Sequence, residues 1–103
     1  MAGSMDIADW RRQIDEIDRK LVELLNQRAR MAQEIGRLKR HTQMPIREPD
    51  RERTILENVR RQNRGPLPDQ ELAGIFERMI GAMRRLQKDE MLGSTEVRME
   101  NAE

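Results

Sequence analysis

Cysteine and tyrosine are absent from this 103-residue sequence, which also has only one histidine, one tryptophan and one phenylalanine. The lack of cysteine excludes disulfides, thiolate metal ligands and cysteine nucleophiles. The single histidine, His41, cannot form a histidine metal site without other ligands. Because aromatic residues are scarce and β-branched runs are missing, we do not expect β-strands. The composition therefore favours a chain made of helices.

The sequence also lacks a strong net charge and long apolar runs. Twenty basic residues and nineteen acidic residues give a net charge of +1, whereas nucleic-acid-binding domains usually carry a net basic surface. No apolar stretch approaches the length of a signal peptide core or a membrane span, so we expect a cytoplasmic protein without membrane contacts. Charged residues make up 38% of the chain and apolar residues 36%, a balance that long amphipathic helices would explain.

Apolar residues recur in alternating steps of three and four over the first forty positions, the pattern of a helical heptad seam. This apolar seam consists of Ile7, Trp10, Ile14, Ile17, Leu21, Leu24, Arg28, Met31, Ile35 and Leu38. The pattern predicts one helix that starts near Asp6 or Asp9 and ends around His41, roughly 50 Å long at 1.5 Å per residue. A chain of this size forms a globule shorter than that helix. We therefore expect a second copy of the chain to cover part of the seam.

Two shorter helices are predicted after the first. The second begins at Pro49, which suits the first position of a helix, and ends at Asn-Arg-Gly-Pro, residues 63–66, with Gly65 as its C-terminal cap. The third carries apolar residues at helical spacing up to Met91. Residues 92–103 are predicted to form a disordered tail, and residues 1–5 are interpreted as a tag remnant followed by the natural start.

One position of the apolar seam carries a positive charge. Arg28 stands where the heptad pattern calls for an apolar side chain. Arg11 and Lys39 lie on one flank of the seam, because both belong to a series that recurs every seven residues. One interpretation is that the three cations line a pocket for an anion. The other is that Arg28 only fixes register or oligomeric state, while the flanking cations extend past the apolar stripe into water.

Antiparallel pairing of two copies would bring the distant cations together. Arg11 and Arg28 are about 25 Å apart along the helix, whereas Arg28 and Lys39 are about 16 Å apart. If two long helices cross near residue 25, Arg11 of one copy lies beside Lys39 of the other. The dimer would then hold two equivalent cationic pockets, each built from both chains. Such a pocket suits a ligand with more than one carboxylate, or with a phosphate.

The segment after the long helix offers acceptors that can close this pocket. Glu48, Arg51 and Glu52 lie there, and a carboxylate among them can accept a hydrogen bond from a ligand hydroxyl. The sequence offers no histidine, cysteine or metal cluster as nucleophile or general base. A unimolecular rearrangement needs none of these groups. It can be accelerated by holding one conformer and stabilising the charge that develops.

Four segments carry the cations and carboxylates described above. They are Arg11 with Ile-Asp-Glu-Ile-Asp at 14–18, Leu-Leu-Asn-Gln-Arg at 24–28, Glu-Ile-Gly-Arg-Leu-Lys at 34–39 and Pro-Ile-Arg-Glu-Pro-Asp-Arg-Glu at 45–52. Together they resemble the all-helical (AroQ-type) chorismate mutase domain, over residues 6–91. The resemblance implies three helices per chain, one of them very long, in an intertwined antiparallel homodimer. It further implies a cofactor-free and metal-free Claisen rearrangement of chorismate to prephenate in phenylalanine and tyrosine biosynthesis.

The resemblance also implies roles for the cationic residues. Arg28 and the partner subunit's Arg11 would hold the substrate carboxylates, and Arg51 would support the carboxylate side. Lys39 would bind a carboxylate and the ether oxygen, where negative charge grows as the C–O bond breaks. Gln87, in the third helix, would donate to the same oxygen. Lys39, Gln87 and Arg28 are thus the expected catalytic residues.

Three further positions complete the implied substrate contacts. Glu48 and Glu52 would receive the ring hydroxyl, partly through the backbone. Glu48 stands where the family often has aspartate. Met83, one helical turn before Gln87, stands where a serine contact is common, so this chain lacks one hydroxyl at the site.

Two alternatives remain open at the level of sequence. An isochorismate pyruvate lyase of the same fold would keep the cationic pocket. A non-catalytic regulatory or dimerisation domain of a fused aromatic-pathway enzyme would keep the helices, with Arg28 setting only their register. The resemblance also allows a covalent or non-covalent partner enzyme, because such domains accompany prephenate dehydratase, prephenate dehydrogenase or the first enzyme of the shikimate pathway.

Overall fold

The computed structural model describes residues 3–93 and contains three helices in that range. They are α1 (Ile7–Arg40), α2 (Pro49–Gln62) and α3 (Asp69–Met91). Residues 3–93 include no strand, and the prediction of an all-α chain with one very long helix is confirmed. None of the three helices combines the length and the apolar character needed to cross a membrane.

Both predicted terminal segments extend beyond the described residues. Positions 1–2 of the predicted tag remnant and positions 94–103 of the predicted tail lie outside them. The two tail residues that are described, Leu92 and Gly93, close the last turn of α3. Their backbone N–H groups donate to carbonyl oxygens of α3, over 2.9 Å and 3.1 Å respectively.

α1 begins with a reciprocal pair of caps. The backbone N–H of Asp9 donates to Asp6 Oδ1 over 2.9 Å, and the backbone N–H of Asp6 donates to Asp9 Oδ2 over 3.1 Å. The N–H of Trp10 donates to the carbonyl of Asp6 over 3.2 Å. These bonds satisfy donors that a helix N-terminus leaves unpaired, and they place negative charge at its positive end. Both aspartates that the sequence offers as caps are used.

The chain divides into two compact units, residues 1–30 and 31–103. In the described part of the first unit, α1 presents its apolar seam to solvent. The apolar side chains of the seam in this unit are each between 50% and 67% exposed: Ile7, Trp10, Ile14, Ile17, Leu21 and Leu24. One chain therefore leaves this face without a cover.

In the second unit, α2 packs against α3, and the end of α1 contacts α3. Its buried apolar side chains are Ala32, Val59, Ala73, Ile80 and Met83. Gly36 lies at the closest approach of α1 to α3. A Cβ atom at this position would lie 2.8 Å from the carbonyl oxygen of Gln87 and 2.9 Å from its Cα. Because only glycine permits this approach, Gly36 brings Gln87 against the last turns of α1.

A second contact fixes the ends of the same two helices. The guanidinium of Arg40 donates to the carbonyl oxygens of Glu90 and Met91, the latter over 3.3 Å. The buried Glu90 carboxylate pairs with Arg37 Nε at 3.2 Å. Arg40 thus satisfies carbonyl groups at the C-terminus of α3, where a cation also suits the helix dipole. These contacts help to set the register of α1 against α3.

The turn between α2 and α3 differs from the prediction. α2 ends at Gln62 and its C-terminal cap is Asn63, with extended backbone at φ −72° and ψ 121°. Gly65 does adopt positive φ, at 68°, but it lies within the turn, so its assignment as the helix cap was wrong. The Asn63 amide explains the difference, since it donates to the carbonyl of Leu67 over 2.9 Å and to Asp69 over 2.6 Å. Asn63, rather than the glycine, organises this turn.

Candidate functional site

Lys39 is a buried cation, only 2% exposed, near the end of α1. Its Nζ donates to the carbonyl of Ile46 over 3.0 Å and to Gln87 Oε1 over 2.9 Å. It also pairs with Glu48 Oε2 at 2.9 Å. An ammonium group has three N–H donors, so the chain supplies one acceptor for each. Such pairing is what allows a charge to be buried.

Three elements bring these groups together. Lys39 lies three residues after Gly36, so the close approach of α3 to Gly36 places Gln87 beside the ammonium. The connector after α1 returns to present the Ile46 carbonyl. Glu48 immediately precedes α2, which begins at Pro49 as predicted. The Glu48 side chain makes no capping bond to its own helix; its carboxylate faces Lys39 instead.

A second ion pair links α2 to α3. Arg84 Nη2 donates to both carboxylate oxygens of Glu52, each over 2.9 Å, and Arg84 Nε donates to Oε2 over 3.3 Å. The Glu52 side chain is 21% exposed and the Arg84 side chain 34% exposed. A forked guanidinium–carboxylate pair of this kind holds both side chains in a defined orientation.

The two sets of contacts lie at successive levels of the same pair of helices. Glu48 and Glu52 are four residues apart at the start of α2, and Arg84 and Gln87 are three residues apart on α3. Residues at these spacings are neighbours on one helix face, one turn apart. Glu48 and Gln87 lie near each other because both contact Lys39, and Glu52 pairs with Arg84. Residue numbers thus rise along α2 while they fall along α3, so the two helices run antiparallel.

The structure places the other predicted site residues as follows. Arg11 and Arg28 belong to the first unit, where Arg11 is exposed and Arg28 half-buried on α1. Arg51 is exposed on α2, and within residues 3–93 it is a partner of neither Lys39 nor Glu52. Met83 is buried and belongs to the core. The predicted residues that the structure brings into direct contact are Lys39, Glu48 and Gln87.

Sequence reasoning missed two groups of this site. Arg84 could have been predicted from the sequence, because it lies three residues before Gln87 and therefore shares its face of α3. Its partner Glu52 could be assigned only with the register of α2 against α3 known. The carbonyl of Ile46 has no signal in the sequence, because any residue carries a carbonyl group.

The site can stabilise negative charge on an oxygen atom. Gln87 accepts from Lys39 through Oε1, which leaves its amide N–H groups to donate elsewhere. An ammonium and an amide donor then lie side by side in a largely buried setting. Preorganised donors of this kind are worth more in such a site than in water. Of the partners of Lys39, Glu48 has a side chain that remains 36% exposed, so it is accessible to an incoming ligand.

Comparisons with known proteins agree on one family. The family model described as chorismate mutase type II matches residues 10–88. A curated protein named chorismate mutase, from Methanocaldococcus jannaschii, is 31% identical over 83 residues, which cover 80% of this chain and 84% of that protein. The solved structure of chorismate mutase (form II) from Thermus thermophilus has a TM-score of 0.78 at 33% identity, covering 80% of this chain and 93% of that one.

Another relative is considerably longer. The bifunctional chorismate mutase/prephenate dehydratase of Aquifex aeolicus is 37% identical over 87 residues, which cover 81% of this chain. The matched part makes up 24% of that protein, so this chain corresponds to about a quarter of it.

Proposed function

This chain belongs to the chorismate mutase type II family, and we propose that it converts chorismate to prephenate by a cofactor-free Claisen rearrangement. The observation that carries the proposal is the buried Lys39 ammonium, hydrogen-bonded to Gln87 at 2.9 Å. In the rearrangement the ether C–O bond breaks while a new C–C bond forms within the same molecule. The ether oxygen gains negative charge, and no external base or nucleophile takes part.

Lys39 and Gln87 act on that ether oxygen. The positive charge of Lys39 and an N–H group of Gln87 stabilise the oxygen more in the transition state than in bound chorismate, because its charge grows along the reaction. Interactions of this kind raise kcat. Removing one such donor from an enzyme site typically costs about 10²–10³-fold in kcat.

Substrate binding exchanges the partners of Lys39. All three N–H donors of its ammonium are used by the chain, so a substrate oxygen has to replace one acceptor. Glu48 is the suitable one, since its carboxylate is still partly exposed. Once released, it accepts the ring hydroxyl of chorismate. Glu52 is the second acceptor, because its carboxylate has lone pairs beyond those used by Arg84.

The two substrate carboxylates require further cations. We assign them to Arg28 and to the partner subunit's Arg11, with Arg51 in support, as in the antiparallel dimer expected from the sequence. The exposed apolar seam supports this arrangement, because monomeric proteins rarely leave so large an apolar patch uncovered. Met83 takes no part in binding in this proposal, since its side chain lies in the core.

A partner enzyme and a cytoplasmic location complete the proposal. The Aquifex relative joins a chorismate mutase to a prephenate dehydratase in one chain, as its name states. We propose that prephenate made here passes to an enzyme that consumes it, whether fused to this chain or separate.

One assay tests the function. Purified protein is mixed with chorismate and, in a separate reaction, with isochorismate. The loss of chorismate absorbance is followed, and prephenate, pyruvate and salicylate are measured as products. Formation of prephenate is the expected result. Pyruvate and salicylate from isochorismate would identify a lyase instead. Turnover of neither compound by a stable dimer would contradict the proposal and favour a regulatory domain.

A further inference from the structure

We propose that Arg84 is a positioning residue that makes this site acceptable to a doubly charged anion. Its role is to neutralise Glu52 and to hold that carboxylate towards the substrate. The proposal rests on the proposed function, because the dianion is chorismate. It arises from the forked pair between Arg84 and Glu52. These two residues lie one helical turn from Gln87 and Glu48, which are partners of Lys39.

The charges around Lys39 show why such a residue is needed. Without Arg84, the ion-paired groups around Lys39 would be one cation, Lys39, against the carboxylates of Glu48 and Glu52. These groups would carry a net charge of −1 and would repel a substrate with two carboxylates. With Arg84 their four charges sum to zero. The proposed site cations outside this group, Arg28, Arg51 and the partner subunit's Arg11, then make the site attractive to an anion.

The geometry makes Arg84 specific to Glu52. Its Nη2 lies 2.9 Å from each oxygen of that carboxylate, and both side chains are less than half exposed. A partly buried pair is screened less by salt than a surface pair. The neighbouring Arg85 is exposed and makes no such pair within residues 3–93. It therefore provides a control with the same change in net charge.

The test compares Arg84→Met, Arg84→Lys, Glu52→Gln and the double variant Arg84→Met/Glu52→Gln, with Arg85→Met as control. We expect Arg84→Met to raise KM about tenfold or more, while kcat changes less than about threefold, because an unpaired carboxylate repels substrate and transition state alike. Arg84→Lys and Arg85→Met should stay within about threefold of wild type. The double variant should recover the KM of Glu52→Gln, because the repelling charge is gone.

Other results would overturn the inference. A double variant whose KM stays well above that of Glu52→Gln, as high as that of Arg84→Met, would mean that Arg84 only supports the fold. Calorimetric titration measures how strongly each variant binds chorismate, and this affinity tests the inference separately from turnover. If wild type binds chorismate without converting it, the proposed function fails, and the inference stands only if Arg84→Met binds at least tenfold more weakly. If wild type and Arg84→Met bind equally, or wild type does not bind, the inference fails.

Discussion

Lys39 combines a buried position with a charge whose partners all lie in the second unit. Replacing it with methionine keeps much of the side-chain volume and removes the charge. We expect Lys39→Met to lower kcat about a hundredfold or more and to change KM much less, because in the proposed mechanism the charge that Lys39 stabilises develops only in the transition state. Steady-state kinetics with chorismate measure kcat and KM.

Lys88→Met is the matched control for this variant. Lys88 is exposed on α3 and follows Gln87 directly, so its replacement makes the same change in net charge outside the cluster. It should leave kcat near the wild-type value. A Lys39→Met enzyme with nearly unchanged kcat would show that Lys39 only fills the interior, and thermal unfolding of both variants would separate a folding defect from a catalytic one.

Many of the individual site residues could be predicted from side-chain types and their spacing. Lys39, Glu48 and Gln87 were predicted as site residues, and the structure brings them into contact. Their roles towards substrate remain predictions. The pair between Glu52 and Arg84 was not predicted, because it depends on which turns of two separate helices face each other. A sequence gives the face of each helix but not that register.

Gly36 controls how closely α1 and α3 approach. A Cβ at this position would lie 2.8 Å and 2.9 Å from backbone atoms of Gln87, and a backbone cannot yield as a flexible side chain can. We expect Gly36→Ala to lower the free energy of unfolding by about 1–3 kcal/mol. It should also lower kcat, since Gln87 moves away from Lys39. Urea unfolding and chorismate turnover measure the two effects.

Gly74→Ala is the control on α3. A Cβ at Gly74 would meet nothing within 4 Å, so alanine there should stabilise the helix by about 0.5–1 kcal/mol. Equal stability changes in the two variants would show that the approach of α1 to α3 is not tight at Gly36.

The helices themselves could be predicted well because their signals are local. The three-and-four spacing gave α1, the aspartates gave its start, and Pro49 gave the start of α2. The cap of α2 was assigned wrongly to Gly65 instead of Asn63, because a glycine before a proline resembles a helix cap as much as a turn residue. The amide of Asn63 decides the matter through contacts with Leu67 and Asp69, which are formed only when the turn folds.

At the scale of the whole molecule, the apolar seam is the feature that one chain leaves unexplained. Its apolar side chains in the first unit are half or more exposed, which is unfavourable in water. The length of α1 led to the expectation of a dimer, since the seam is longer than the surface that one short chain can cover. Contacts within one chain do not determine where the partner chain lies, so the antiparallel arrangement remains a prediction.

Mixing two inactive variants tests the shared site. In the proposed dimer each site takes Arg28 and Lys39 from one chain and Arg11 from the other. Arg11→Ala and Lys39→Met chains should each be inactive alone. After they are unfolded together and refolded, half of the dimers should be mixed, and each mixed dimer should hold one intact site. About a quarter of the wild-type activity per chain should therefore return, as follows from two-fold symmetry.

The pair Arg28→Leu and Lys39→Met is the control, because both changes fall in the half-site that one chain supplies. Its mixed dimers contain no intact site, so activity should stay absent. If activity recovers in the first mixture but not in the control, Arg11 acts in the site of the other chain, and Arg28 and Lys39 act in the same site of one chain. If neither mixture recovers while native mass spectrometry shows mixed dimers, each site lies within one chain, and the antiparallel arrangement of the long helices is wrong.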